Sequence, residues 1–122
     1  MSSQLIFLDK KQVSIFRRLI VVGDLHGDKI ALDLLLKVID PNRDGLIFLG
    51  DYADRGYFGL EVIETIDGLS RKFPKNIFLL KGNHEDYSRK GEPNFWPCRL
   101  YEEVERKRVQ RIHRTFVLSC YN

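Results

Sequence analysis

Leu19-Ile20-Val21-Val22-Gly23-Asp24-Leu25-His26-Gly27-Asp28 is the stretch that decides the fold. Four apolar residues without alternation predict a strand buried on both faces, as in a parallel sheet. Glycine and polar residues of metal-ligand type follow at once. The pattern recurs in Leu46-Ile47-Phe48-Leu49 with Gly50-Asp51-Tyr52-Ala53-Asp54-Arg55-Gly56, and in Ile77-Phe78-Leu79-Leu80 with Gly82-Asn83-His84-Glu85. If the three strands lie parallel, their tips open at one edge, where α/β proteins place their sites.

The intervening residues support that arrangement. Asp28 can cap a helix to about Val38 or Ile39, with Ala31, Leu34, Leu35 and Val38 on one stripe. Pro41 to Gly45 makes a turn. A second helix covers roughly Leu60 to Lys72, with Leu60, Ile63, Ile66 and Leu69 inward and Glu61, Glu64, Asp67 and Arg71 largely outward. The third strand is expected at Asn76 to Leu80. The fold class is therefore α/β, a parallel β-α-β-α-β core with right-handed crossovers. Residues 1–18 read as a hairpin or an extended lead-in. Tyr87 to Pro97 reads as a loop, and Arg99 to Arg114 as a helix using Leu100, Val104 and Ile112 on one side.

Composition sets limits. The chain has 122 residues, of which 43% are hydrophobic and 30% charged, as in an ordinary soluble globular domain. No run approaches a membrane span, and no secretory signal is evident, so a cytoplasmic setting is the expectation. Two cysteines, Cys98 and Cys120, form neither a disulfide framework nor a zinc motif, and packed or half-exposed thiols are the expectation. Net charge is +3. The basic excess sits in residues 86–122, where Glu102 with Arg106 and Glu103 with Lys107 stand at helical spacing. This points to a solvated helix face rather than a nucleic-acid surface.

The tips carry the chemistry. Asp24 and His26 can face one ion, with Gly23 and Gly27 easing the turn. Asp51 has two oxygens and can sit between two cations, the second also held by the amide oxygen of Asn83. Oxygen and imidazole donors suit Mn, Fe or Zn. A pair of such ions is a known device for cleaving phosphate esters. His84 is a candidate general acid, Asp54 can hold its other ring nitrogen, and Arg55 can bind phosphate oxygens. Taken singly, each Gly-Asp is a turn or a helix cap, and each histidine a surface imidazole. Three tips, each placed after a strand, argue against coincidence.

At these residues the sequence resembles the calcineurin-like metallophosphoesterases, and more narrowly the phosphoprotein phosphatase family of serine/threonine phosphatases. The segments Gly23–Gly27, Gly50–Gly56 and Gly82–Glu85 carry the resemblance, which extends through most of residues 19–118. It implies the first half of a metallophosphoesterase α/β sandwich. It also implies metal-dependent hydrolysis of phosphoserine and phosphothreonine monoesters by direct attack of a metal-bound hydroxide. Asp24, His26 and Asp51 would hold the first metal, and Asp51 and Asn83 the second. His84 with Asp54 would protonate the leaving group, and Arg55 would bind phosphate. Two divalent ions are expected, manganese first, with iron or zinc as alternatives. The implied partners are a phosphoprotein or phosphopeptide, and a regulatory protein or a missing C-terminal half. The family's two further histidines and further arginine have no counterpart, and His113 is not assigned as a ligand. Residues 1–122 are therefore expected to form one incomplete metallophosphoesterase domain. A dinucleoside polyphosphate hydrolase and a non-catalytic remnant are the competing expectations.

Overall fold

The computed structural model describes residues 7–107. A short helix α1 (Lys10–Ser14) leads into β1 (Leu19–Val22), α2 (Lys29–Val38), β2 (Gly45–Phe48), α3 (Gly59–Lys72), β3 (Ile77–Leu79) and α4 (Arg99–Lys107). A single 3-10 turn, Asn83–Glu85, follows β3. The sheet order is β1-β2-β3 and both pairings are parallel. Leu19 stands opposite Gly45, Val22 opposite Phe48, and Phe48 opposite Leu79. The expected β-α-β-α-β core is present, and the three tips lie at one edge.

The core is built by α3 and the central strand. Leu60, Val62, Ile63 and Ile66 are buried on α3, with Leu46 and Phe48 on β2. Leu69 packs beside them, half-buried. Residues of α4 complete the cluster, including Leu100 and Val104.

Three expectations are corrected. Within the lead-in, Lys10–Ser14 is a helix rather than a hairpin strand or an extended segment. Asp9 accepts from the Gln12 amide (2.8 Å) while the Gln12 side chain accepts from the Asp9 amide (3.0 Å), a reciprocal cap that starts α1. Strand β1 is not buried on both faces: Leu19 and Val21 are exposed, and Ile20 and Val22 pack on the core. Among the described residues no layer packs over that face of β1, so its alternate side chains are left exposed. On α2 the buried residue is Leu32, with Leu35 and Leu36 half-buried, whereas Ala31, Leu34 and Val38 are exposed. This helix is apolar on most of its faces, so spacing does not select the packed one.

Asp28 does cap α2, accepting from the Ala31 amide at 2.8 Å. The loop at 87–97 carries only the isolated bridge Tyr87 to Pro93. No helix among the described residues is long and apolar enough to cross a membrane. The expectations for Ile112, His113 and Cys120 fall outside the described residues.

Candidate metal centre

The tips are stitched to one another by backbone. The amides of Leu25 and His26 donate to the Asp51 carbonyl (3.0 and 2.9 Å), and Gly27 donates to Tyr52 (2.8 Å). Gly56 returns a bond to the His26 carbonyl at 2.9 Å. Close approach explains the glycines. A Cβ on Gly82 would fall on the Asp51 carboxylate, and 2.6 Å from the Asp51 nitrogen. Gly23 is different: nothing lies within 4 Å of its would-be Cβ, so its expected easing role is not required.

Backbone strain concentrates here. Four non-glycine residues among those described have positive φ: His26 (43°), Asp51 (53°), Asp54 (68°) and Arg55 (61°). Such conformations cost of order 1–3 kcal/mol each and persist only where surroundings impose them. All four belong to the first two tips.

Glu85 supplies part of that imposition. Its Oε2 accepts from the amides of Asp51 (2.7 Å) and Gly82 (2.9 Å), and its Oε1 from Tyr52 (2.9 Å). Burial pushes its carboxyl above the ordinary range, and the three backbone amides oppose that shift. Sequence reasoning assigned Glu85 no role. Its signal was an acidic residue directly behind the third tip. Tyr52 adds a second brace, donating from its hydroxyl to the Leu80 carbonyl at 2.7 Å.

Asp24, His26 and Asp51 come together, with one ligand atom from each lying within 4.8 Å of the others. The tautomer of His26 is fixed by chemistry. Its Nδ1 lies 2.9 Å from the Ala53 carbonyl, which can only accept, so Nδ1 carries the hydrogen. The lone pair is then on Nε2, which is buried without a hydrogen-bond partner. Nε2 stands 3.6 Å from Asp24 Oδ2 and 3.9 Å from Asp51 Oδ2. Those gaps are too long for hydrogen bonds. A lone pair facing two carboxylates is repulsive unless a proton or a metal ion lies between them, and one imidazole with two carboxylates is a donor set for Mn, Fe or Zn. The residues present fit a divalent ion.

The second cluster adjoins the first. The rings of His26 and His84 meet edge to face, 4.9 Å between centroids. The His84 amide donates to Asp51 Oδ1 at 2.9 Å. Its ring Nδ1 lies 2.7 Å from Asp54 Oδ2, and Asp54 is 1% exposed. The other oxygen, Asp54 Oδ1, accepts from the Leu100 amide at 2.7 Å, so the first turn of α4 holds the carboxylate. Asn83 is exposed, one residue from the amide that reaches Asp51. Arg55 is exposed and makes no ion pair among the described residues. Cys98 is a buried free thiol beside the Tyr87 hydroxyl (3.3 Å), and burial pushes its pKa up. It is packed rather than reactive.

A parallel sheet with a carboxylate–imidazole triad and an adjoining His–Asp pair at its carboxyl end defines a candidate metal-dependent hydrolytic centre. The comparisons with known proteins agree. Residues 17–119 match the family described as calcineurin-like phosphoesterase, and the chain belongs to that family. It is 41% identical over 66 residues to the PP2A-like serine/threonine-protein phosphatase PPG1 of Candida albicans, covering 53% of this chain and 16% of that protein. It is 44% identical over 70 residues to the phosphatase SIT4 of the same organism, covering 53% and 22%. A solved serine/threonine phosphatase from Saccharomyces cerevisiae superposes with a TM-score of 0.62 at 30% identity, covering 84% of this chain and 35% of that one. The parallel core matches the first half of that family's α/β sandwich. The chain thus spans less than half the length of each of these relatives.

Proposed function

We propose that this chain carries the amino-terminal metal- and phosphate-binding part of a cytoplasmic phosphoprotein phosphatase acting on phosphoserine and phosphothreonine monoesters. The observation that carries this reading is the enclosed His26 Nε2 lone pair facing Asp24 and Asp51. The three named relatives, all serine/threonine phosphatases, support the substrate class.

Asp24, His26 and Asp51 would hold one divalent ion. Asp51, whose Oδ1 takes only one backbone hydrogen bond, and Asn83 would contribute to a second. When bound, the ions supply Lewis acidity toward phosphoryl oxygens and make water a better nucleophile at neutral pH.

The chain's own residues do the rest. Arg55, exposed and unpaired among the described residues, offers a planar fork to two phosphate oxygens. Asp54 fixes the His84 ring through Nδ1, leaving Nε2 to deliver a proton to the departing alkoxide. Leu100 and Glu85 keep the two tips aligned while this happens.

Two measurements test the reading. Titration calorimetry with Mn²⁺ should show a first site that is lost in Asp24→Ala. An assay with added Mn²⁺ should show hydrolysis of a phosphoserine peptide in preference to diadenosine tetraphosphate. Faster cleavage of the dinucleotide would assign the chain to polyphosphate hydrolysis. Metal binding without any turnover would leave a non-catalytic remnant.

A further inference from the structure

Arg99 is placed against local electrostatics. It opens α4, where the helix dipole disfavours a cation. It makes no ion pair or hydrogen bond among the described residues, and its Nε is enclosed without a partner. Its guanidinium carbon instead lies 3.9 Å from the centroid of the Tyr57 ring, a stacking distance. Tyr57 is 71% exposed. Apart from the ring itself, nothing among the described residues compensates an arginine held by an exposed tyrosine at the unfavourable end of a helix.

The position gives that a use. Tyr57 is two residues beyond Arg55. Arg99 is one residue from the amide that holds Asp54, which holds His84. The stack therefore borders the catalytic cluster. Stacking on an aromatic face preorganises the fork, so less entropy is lost when an oxyanion docks. Only Nε of the guanidinium is enclosed, which leaves the terminal nitrogens to reach a ligand.

On the reading of the centre as a phosphoester site, we propose that Arg99, stacked on Tyr57, forms an oxyanion subsite at its rim. The subsite takes the side-chain carboxylate of an acidic residue adjacent to the phosphorylated residue of a peptide. It is a specificity device, distinct from the phosphate contact assigned to Arg55.

The test is binding, which needs no turnover. Trp96, the only tryptophan, is 71% exposed and three residues from Arg99, so its fluorescence reports on the rim. With Mn²⁺ present, the chain is titrated with two peptides bearing a non-hydrolysable phosphonate analogue of phosphoserine. One is flanked by aspartate, the other by alanine. The aspartate peptide should bind about fivefold tighter, the worth of one partly exposed charge pair. That ratio should fall to about one in Arg99→Gln and in Tyr57→Ala, and persist in Tyr57→Phe, which keeps the ring. The alanine peptide serves as the internal reference for each variant. Equal binding of both peptides to the unaltered chain overturns the subsite alone. A preference that survives Arg99→Gln also overturns it. Failure of both peptides to bind overturns the subsite together with the phosphoester reading.

Discussion

Strand β2 carries an enclosed aspartate just before its amino end and another just beyond its carboxyl end, and the two are treated oppositely. Asp44 is fully buried and fully satisfied. Arg17 grips it through Nε and Nη2 (2.9 and 2.7 Å), Arg18 through Nη2 (2.7 Å), and the Asp40 amide adds a bond at 2.8 Å. Among the described residues Asp51 pairs with no lysine or arginine. Its Oδ2 faces the bare nitrogen of His26 and stands near Asp24 in a strained loop. One end of the sheet is optimised for holding the fold. The other withholds compensation, and that missing charge is what a metal would supply.

The sharpest way to break this comparison is to neutralise each aspartate. Asp51→Asn keeps an oxygen able to accept from the His84 amide but removes the ligand charge. Mn²⁺ affinity should fall by about 100-fold or more, read by calorimetry. Metal-free thermal stability should hold or rise slightly, because repulsion with Asp24 is relieved. A clear drop in the metal-free melting temperature would show that Asp51 is structural after all.

Crowding provides the next test. Gly82 has extended backbone (φ −91°, ψ −175°), so any residue could adopt its conformation. Space alone forbids a side chain there. Gly82→Ala should push the third tip off Asp51, weakening Mn²⁺ binding by about tenfold and costing about 1–3 kcal/mol of stability by denaturant titration.

At the opposite end, Asp44→Asn should leave metal binding intact and lower the melting temperature by about 10 °C at neutral pH. The sign of its pH dependence follows from linkage. Hydrogen bonds from Arg17 and then Arg18 hold the Asp44 carboxyl well below its ordinary 3.8. The stabilisation is whole above that ordinary value and is lost as pH falls below it toward the lowered one. Thermal scans of the parent chain should therefore show a loss beginning below about pH 4. The Asp44→Asn variant should have a flatter acid limb. Parallel acid limbs in the two proteins would sink the argument.

The two ends also differed in how far the sequence revealed them. Asp24, His26, Asp51, Asp54 and His84 were legible because each lies within two residues of a glycine in a segment that follows an apolar run. Local composition and topology then suffice to bring them together. Asp44 looked like a turn residue, since its partners Arg17 and Arg18 lie 27 and 26 positions away and share no pattern with it. The Glu103 carboxylate, which accepts from the Leu60 amide at 2.9 Å, was hidden for the same reason. The exposed side of β1 depends on which neighbours are present, and that information is not local. The start of α1 is carried by local spacing, since Asp9 and Gln12 stand as a capping box.

The smallest expected effect concerns strain. If it is confined to the carboxyl end, glycines elsewhere should be replaceable with profit. Gly68 lies within α3, exposed, and nothing stands within 4 Å of a Cβ built on it. Glycine in a helix loses more backbone entropy on folding than alanine does. Gly68→Ala should therefore stabilise the chain by about 0.5–1 kcal/mol, seen as a raised denaturant midpoint at unchanged slope. The same glycine-to-alanine change would then stabilise at residue 68 and destabilise at residue 82. A loss at both positions would mean that crowding extends into α3, and that the contrast between the two ends of the sheet is not one of design.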